Sequence, residues 1–298
     1  MLEFQNISLH KKRKKILDHF SLSLSEGTIF GLVGEDSLAK SAILQAAVGS
    51  IRPSAGKILL DGESIHDSDT CYLKIGYMSR KFDFYDQMTV GEYFELFLAL
   101  YKVNGRYRNR RVDEVLQFFE LESYKDTFVS ELPLELKPFL NLGKTILHDP
   151  DWLFLDEPFE ELSPSQRKRM LEYLGILWED GKSLLINTRL FPEITQFITD
   201  IAIIEEGQMI SKGTVSSVYK EVLRKSPIRL RILDGMDAAL AVLRENPLVE
   251  RVTVNGQDVI LLFSGEDLEE ARLLSQLVSA GALVHHFIRD PLEVERYM

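Results

Sequence analysis

The chain has 298 residues, 45% of them hydrophobic, and a formal net charge of −11 at pH 7. This length can supply a core for one large and one smaller domain, whereas the acidic balance argues against nucleic acid as a partner. The longest apolar runs, such as residues 96–100, fall far short of the roughly 20 residues that span a bilayer, so we expect no membrane span. The single cysteine, Cys71, excludes an internal disulfide and is typical of a structural thiol.

The N-terminal residues alternate in the manner of β-strands on either side of a basic block, Lys11 to Lys15. They predict antiparallel strands over 2–9 and 20–25, joined by a turn. The basic block is either a solvated hairpin tip or a contact for anionic lipid headgroups. A secretory signal would place charge first and a long apolar region after it, so we expect the chain to stay in the cytoplasm.

An apolar strand over 27–34 is followed by a short loop and by a helix that ends near Gly49. The loop fits the phosphate-binding pattern GxxxxGKS/T at its first glycine, its lysine and its serine, but has Ala39 in place of the second glycine. In such a loop backbone N–H groups point at the phosphates, the lysine neutralises them and the serine hydroxyl binds Mg²⁺. The candidate nucleotide-binding loop consists of Gly34, Glu35, Asp36, Ser37, Leu38, Ala39, Lys40 and Ser41.

Residues 82–147 are helical and aromatic in character, with apolar residues at three- and four-residue spacing, and they predict a helical insertion. Apolar strands resume over 152–158, 183–188 and 200–207, with a helix between the first two. Apolar strands that alternate with helices are typical of a parallel sheet.

The strand over 152–158 contains an acidic pair, Asp156 and Glu157. Such a pair at a strand end suits a metal ligand followed by a base that orients water. The alternative is a solvated carboxylate pair without a catalytic role.

The composition changes at Ser226, because no lysine occurs after Lys225. We therefore predict two domains, 1–226 and 227–298. The second shows the order strand, helix, strand, strand, helix, strand of a ferredoxin-like split βαβ unit. It has no phosphate, metal or nucleophile pattern, and we expect it to serve dimer contact or regulation.

Six segments occur in the order of one known family, and they read FGLVG, PSAGKILLDG, IGYMSR, YDQMTVGEYF, ILHDPDWLFLDEP and IIEEGQMISKGT. Over nearly its whole length the sequence resembles ATP-binding subunits of ABC transporters, in the branch that serves drug, peptide and bacteriocin-immunity exporters. The tail RDPLEVERYM resembles the small C-terminal domain of many such subunits. The expected fold is α/β. It has a P-loop NTPase (RecA-like) core, N-terminal antiparallel strands, a helical insertion and a small ferredoxin-like α+β C-terminal domain.

The resemblance also shows where this sequence departs from the family around the nucleotide. Ser37 and Ala39 stand at two of the three loop glycines, so we expect strain of about 1 kcal/mol at each, or a partly blocked phosphate site. Arg80 stands at the Q-loop glutamine and Arg189 at the switch histidine. A cation cannot ligate Mg²⁺, although arginine can contact phosphate in another geometry. Ser163 replaces the D-loop aspartate.

The family's signature motif, whose amides contact the γ-phosphate held by the opposite subunit, aligns with residues 132–136. Pro133 has no amide N–H, and Glu135 brings a negative charge toward phosphate. Lys11 aligns with the aromatic residue that stacks on adenine.

The resemblance thus implies an ATP-binding subunit that docks on a multi-span membrane subunit at the inner face of the cell membrane and exports a drug, peptide or lipid-like substrate. It would form a homodimer, or a heterodimer with a second ATP-binding subunit. We expect ATP and Mg²⁺ binding with weak or absent hydrolysis. The candidate residues are Glu157 as base, Arg80 and Arg189 at the replaced positions, and Ser41 and Asp156 as metal ligands.

Three alternatives remain open. The chain could be a working ATPase motor of the same transporter type, or a structural subunit that binds no nucleotide. A soluble protein acting on ribosomes is poorly supported, since that class resembles two tandem ATPase units.

The aromatic stretch over 82–97 either receives a short cytoplasmic helix of the membrane subunit or is a buried helix.

Overall fold

The computed structural model describes residues 1–11, 14–68, 70–81, 84–103, 105–189 and 194–289. The chain divides into two compact units, residues 1–213 and 214–298, and each has a core of its own. The domain boundary expected after Ser226 stays a prediction. Within the described part of the chain, none of the helices combines the length and the apolar character that a bilayer crossing requires.

The first unit contains two sheets and five α-helices whose bounds are described. Its strands are β1 (Leu2–Lys11), β2 (Lys14–Leu24), β3 (Ile29–Val33), β4 (Ala55–Leu60), β5 (Glu63–Ser64), β6 (Ile75–Met78), β7 (Trp152–Asp156), β8 (Ser183–Asn187), β9 (Asp200–Glu205) and β10 (Gln208–Thr214). Its helices are α1 (Ser37–Ala47), α2 (Val90–Leu100), α3 (Gly105–Phe118), α4 (Lys137–Ile146) and α5 (Pro164–Glu179).

The N-terminal strands belong to an antiparallel sheet of order β2-β1-β4-β5. The expected second strand was too short, because β2 begins at Lys14 and buries Ile16 and Leu17 before Phe20. Residues 12 and 13 of the basic block lie outside the described residues, so its role as a hairpin tip stays a prediction.

The second sheet has the order β10-β9-β3-β8-β7-β6, and neighbours from β9 to β6 run parallel. Every residue of β3, β7 and β8 is buried, which explains why these strands read as continuous apolar runs. Because parallel strands end at the same edge of a sheet, the segments that follow β3, β6, β7 and β8 come together there. That edge carries the candidate site.

The predicted helical insertion contains α2, α3 and α4. A capping box between Thr89 and Glu92 starts α2, whose Tyr93 and Phe94 are buried. Residues 82 and 83, the beginning of the predicted aromatic stretch, lie outside the described residues.

The second unit consists of α6 (Val215–Lys225), β11 (Ile228–Asp234), α7 (Met236–Glu245), β12 (Val249–Asn255), β13 (Asp258–Phe263), α8 (Asp267–Ser279) and β14 (Leu283–Arg289). Its strands pair antiparallel in the order β12-β13-β11-β14. This is the order expected of a ferredoxin-like split βαβ unit. Alternate residues of β11 enter the core, since the helices cover one face of the sheet. The tail over 290–298 lies outside the described residues.

Candidate functional site

Side chains from four neighbouring strands meet at the carboxyl edge of the parallel sheet. The candidate loop follows β3, Arg80 follows β6, Asp156 ends β7 with Glu157 next, and Arg189 follows β8. The structure therefore places all the candidate residues of these strands at one edge. It adds Glu160 and Asn187, which the sequence had not singled out.

Ser41 and Asp156 are in contact, as a shared metal site would require. The Ser41 hydroxyl donates to Asp156 Oδ1 at 3.0 Å, and Asn187 Nδ2 donates to the same oxygen at 2.5 Å. The other amide atom, Asn187 Oδ1, is buried and has no hydrogen-bond partner among the described residues. Hydroxyl and carboxylate oxygens suit Mg²⁺, which usually keeps several waters and takes few protein ligands. Ser41 and Asp156 thus fit the ion, with Asn187 holding the carboxylate.

The candidate loop begins at a glycine that cannot be replaced without strain. Gly34 has a φ of +111°, and a Cβ built there would lie 2.3 Å from the carbonyl oxygen of Ile204. The strain expected at Ser37 and Ala39 is a wrong prediction, because α1 already begins at Ser37 and neither residue has a positive φ. Residues with a Cβ favour helical φ over the positive values open to glycine, so the altered loop winds into the helix.

Asp36 caps this extended helix with its carboxylate. Its Oδ1 accepts from the Ala39 N–H at 2.9 Å, and its Oδ2 accepts from the Gly207 N–H at 3.1 Å. The N-terminus of a helix favours an anion there, because its first N–H groups and its dipole are positive. The Asp36 carboxylate therefore accepts from backbone N–H groups of the kind that bind phosphate in a P-loop.

Lys40 is fully buried. Its Nζ donates to the carbonyl oxygen of Thr188 at 3.3 Å. Burial lowers the pKa of Lys40 to about 8, with nearby Glu157 opposing the shift and Arg189 adding to it. The ammonium thus lies close to the acidic pair but is poorly hydrated.

Glu157 is buried in a backbone conformation that is uncommon for its residue type, with a φ of +53°. Its Oε2 accepts from the Arg189 N–H at 3.0 Å, and Arg189 Nε lies 3.3 Å from Oε1. Burial raises the pKa of Glu157, while the Arg189 N–H and the Lys40 charge oppose that rise. The candidate base is therefore held by the residue at the switch-histidine position.

Arg80 and Arg189 are joined through one carboxylate, and we call Arg80, Glu160 and Arg189 the arginine bridge. Arg80 donates from Nε and Nη2 to the two oxygens of Glu160, each at 2.5 Å. Arg189 Nη2 donates to Glu160 Oε1 at 2.6 Å. The hydrogen bond from Arg80 lowers the pKa of Glu160. Two arginines that follow the strands on either side of β7, together with the acidic run after β7, were the sequence signal for this pairing.

The segment aligned with the signature motif lacks one backbone donor, at Pro133. Pro133 precedes a short 3₁₀ helix, Leu134–Leu136, which leads into α4. Leu134 is 79% exposed, and the carbonyl oxygen of Glu135 accepts from Gln166 at 3.0 Å. Ser163, at the D-loop position, caps α5 in a capping box with Gln166. The surface that would meet a partner's nucleotide is therefore apolar and acidic.

The P-loop NTPase fold is defined by a buried parallel strand that leads through a loop into a helix. It also has an acidic pair at the end of a nearby strand. Residues 17–160 match the family model described as ABC transporter. The chain carries an ABC transporter ATP-binding domain.

Two curated relatives illustrate the match. The probable multidrug ABC transporter ATP-binding protein YbhF of Escherichia coli (strain K12) is 30% identical over 198 residues, which are 66% of this chain and 34% of that protein. This chain thus spans about a third of that relative's length. The Nod factor export ATP-binding protein I of Paraburkholderia xenovorans (strain LB400) is 29% identical over 275 residues, 91% of this chain and 89% of that protein.

Solved structures agree in fold. One described as the ATP binding subunit of an ABC transporter has a TM-score of 0.67 at 22% identity, covering 74% of this chain and 92% of that chain. The dimeric ATP-binding cassette MJ0796, in a post-hydrolysis state bound to ADP and phosphate, has a TM-score of 0.64 at 21% identity, covering 72% and 99%. The predicted fold class is confirmed.

Proposed function

We propose that the chain is an ATP-binding subunit of an ABC exporter that binds nucleotide with Mg²⁺ and hydrolyses it weakly or not at all. The observation that carries this proposal is the grouping of Lys40, Ser41, Asp156 and Glu157 at one sheet edge, with the Ser41 hydroxyl 3.0 Å from Asp156. Bound there, Mg²⁺ would neutralise phosphate charge. The names of the relatives, multidrug and Nod factor export, support a role in export, and we propose a drug, peptide or lipid-like substrate.

Titration of the purified chain with ATP and ADP, with and without Mg²⁺, is expected to show saturable binding. Lys40→Ala is expected to weaken it about 10- to 100-fold, because a hydrogen bond to a charged group contributes about 1.5–3 kcal/mol. Lys168→Ala is the matched control, since that lysine lies 81% exposed on α5. Undetectable binding by the wild-type chain would contradict the proposal.

Nucleotide affinity is also expected to fall about tenfold between pH 7 and pH 9. The pKa of Lys40 is lowered to about 8 in the nucleotide-free chain, so above that pH the side chain is mostly neutral and must take up a proton to pair with phosphate. Lys40→Arg, which stays charged throughout this range, should show a flat profile. The measurement is calorimetric titration at constant ionic strength, and equal wild-type affinities at both pH values would refute the role of Lys40.

A second candidate function, a structural subunit that binds no nucleotide, is favoured by Asp36. Its carboxylate already engages the start of α1 and the turn at Gly207, and an incoming phosphate has to displace it. The same ATP titration distinguishes the two candidates.

The partner that we propose is a multi-span membrane subunit at the inner face of the membrane. The chain would dimerise with a second copy of itself or with a second ATP-binding subunit. A cavity of about 270 Å³ opens beside α2, at the end of the aromatic stretch. Its lining includes Tyr72, Phe97, Tyr101 and Lys144. An aromatic cavity of this kind supports docking of a short helix from that subunit, while the buried Tyr93 and Phe94 are core residues of α2.

A further inference from the structure

We propose that Arg80 and Arg189 form a site for the terminal phosphate of a nucleoside triphosphate, and that Glu160 occupies this site until the phosphate displaces it. The proposal rests on the nucleotide binding proposed above. Glu160 is then a positioning residue that sets the preference of the chain for a triphosphate over a diphosphate.

The arginine bridge is built by three adjacent strands. Arg80 follows β6, Glu160 follows β7 and Arg189 follows β8, so the carboxylate lies between the two guanidinium groups. All three hydrogen bonds are short, at 2.5, 2.5 and 2.6 Å. A guanidinium pairs with the oxygens of carboxylate and phosphate in the same planar geometry. Glu160 therefore stands where a phosphate oxygen pair would satisfy the same donors.

The bridge borders the proposed nucleotide residues. Arg189 contacts Glu157 as well as Glu160, and Glu157 and Arg189 both act electrostatically on Lys40. Arg80 in turn interacts electrostatically with Glu157 and Asp156. The two guanidinium groups thus border the residues proposed to hold the phosphates.

A phosphate can displace the Glu160 carboxylate because the arginine bridge is accessible to solvent. The side chains of Arg80, Arg189 and Glu160 are 37%, 51% and 30% exposed, so water screens these ion pairs and can solvate the carboxylate once it is released. Glu157, at 2% exposure, has no comparable route to solvent. On phosphate binding, Glu160 can turn to water, whereas the buried acidic pair stays in place.

The test is calorimetric titration of the full chain with MgATP and MgADP, comparing wild type with Glu160→Gln. The neutral amide holds the guanidinium groups less tightly, so ATP affinity is expected to rise about tenfold while ADP affinity changes less than about twofold. Glu114→Gln is the matched control, because Glu114 bridges Arg110 and Arg111 on α3. That variant should bind both nucleotides as the wild type does.

The variant with both Arg80→Gln and Arg189→Gln is expected to lose the preference for ATP over ADP. It tests the phosphate site independently if Glu160→Gln unfolds at a lower temperature than the wild type. Equal effects of Glu160→Gln on both nucleotides, or no effect, overturn the inference and leave the proposed function standing. An unchanged ATP to ADP ratio in the double variant overturns it as well. Absence of binding of either nucleotide to any variant overturns the proposed function and this inference with it.

Discussion

Supplied with ATP and Mg²⁺, the purified chain is expected to release phosphate about 10²- to 10³-fold more slowly than an ABC cassette with an intact signature motif. Catalysis of phosphoryl transfer depends on donors already aimed at the charge that develops in the transition state. Pro133 has no N–H to offer, and Leu134 and Glu135 beside it present an apolar group and a negative charge. In a homodimer of this chain, both sites would lack the donor at Pro133 and would face the charge of Glu135.

The residues that would act on the attacking water have changed too. Arg189 engages the Glu157 carboxylate from its backbone N–H and its guanidinium group, whereas a general base must reach the proton it takes. Arg80 pairs with Glu160, and as a cation it cannot ligate Mg²⁺ in place of a glutamine. A partner subunit with an intact signature would therefore correct only one of the two defects.

The control for this prediction is Glu157→Gln, assayed by steady-state phosphate release under the same conditions. Equal rates for the two proteins are expected, since Glu157 contributes little when it is held by Arg189. A wild-type rate ten or more times that of Glu157→Gln would refute the prediction and favour a working ATPase motor instead.

Gly34→Ala is expected to lower the free energy of unfolding by about 3 kcal/mol or more, the range of backbone strain and overpacking combined. At a φ of +111° an alanine is strained, and its Cβ would lie 2.3 Å from a backbone oxygen, that of Ile204 in β9. A carbonyl within a sheet cannot move away as a flexible side chain can. Either β3 or β9 must shift, and the candidate loop shifts with it.

Gly181→Ala provides the matched control, because Gly181 has a φ of +91° with open space around its Cβ position. It should cost only about 1 kcal/mol, the typical penalty of a left-handed conformation for alanine. Urea unfolding of both variants measures the difference. Similar losses at the two positions would show that the contact with Ile204 is relieved at no cost.

Local patterns were enough to predict most of the architecture. The continuous apolar runs predicted the buried parallel strands, since both of their faces are covered, and the order of strands and helices after residue 226 predicted the ferredoxin-like unit. The bounds were less accurate, as in β2, where the charged Lys14 and Lys15 concealed a strand that buries Ile16. The exposed end of a strand has few apolar residues, so the hydrophobic pattern does not predict where the strand begins.

The departures at single positions were visible in the sequence, but their structural consequences were not. Ser37 and Ala39 were expected to strain a loop, whereas the chain forms another turn of helix with Asp36 as its cap. That outcome depends on a second hydrogen bond from Gly207, 171 positions away. Sequence spacing does not report such a contact.

The sequence by itself determined the class of fold and the position of the candidate loop and acidic pair, because each depends on residue type and short-range order. Only the tertiary structure decided how the two substituted arginines are used. Arg80 and Glu160 are 80 positions apart, and they meet because parallel strands bring their ends to one edge of a sheet. At that edge Glu160 pairs with Arg80 and Arg189, the two arginines that depart from the family pattern, and the three residues form the arginine bridge.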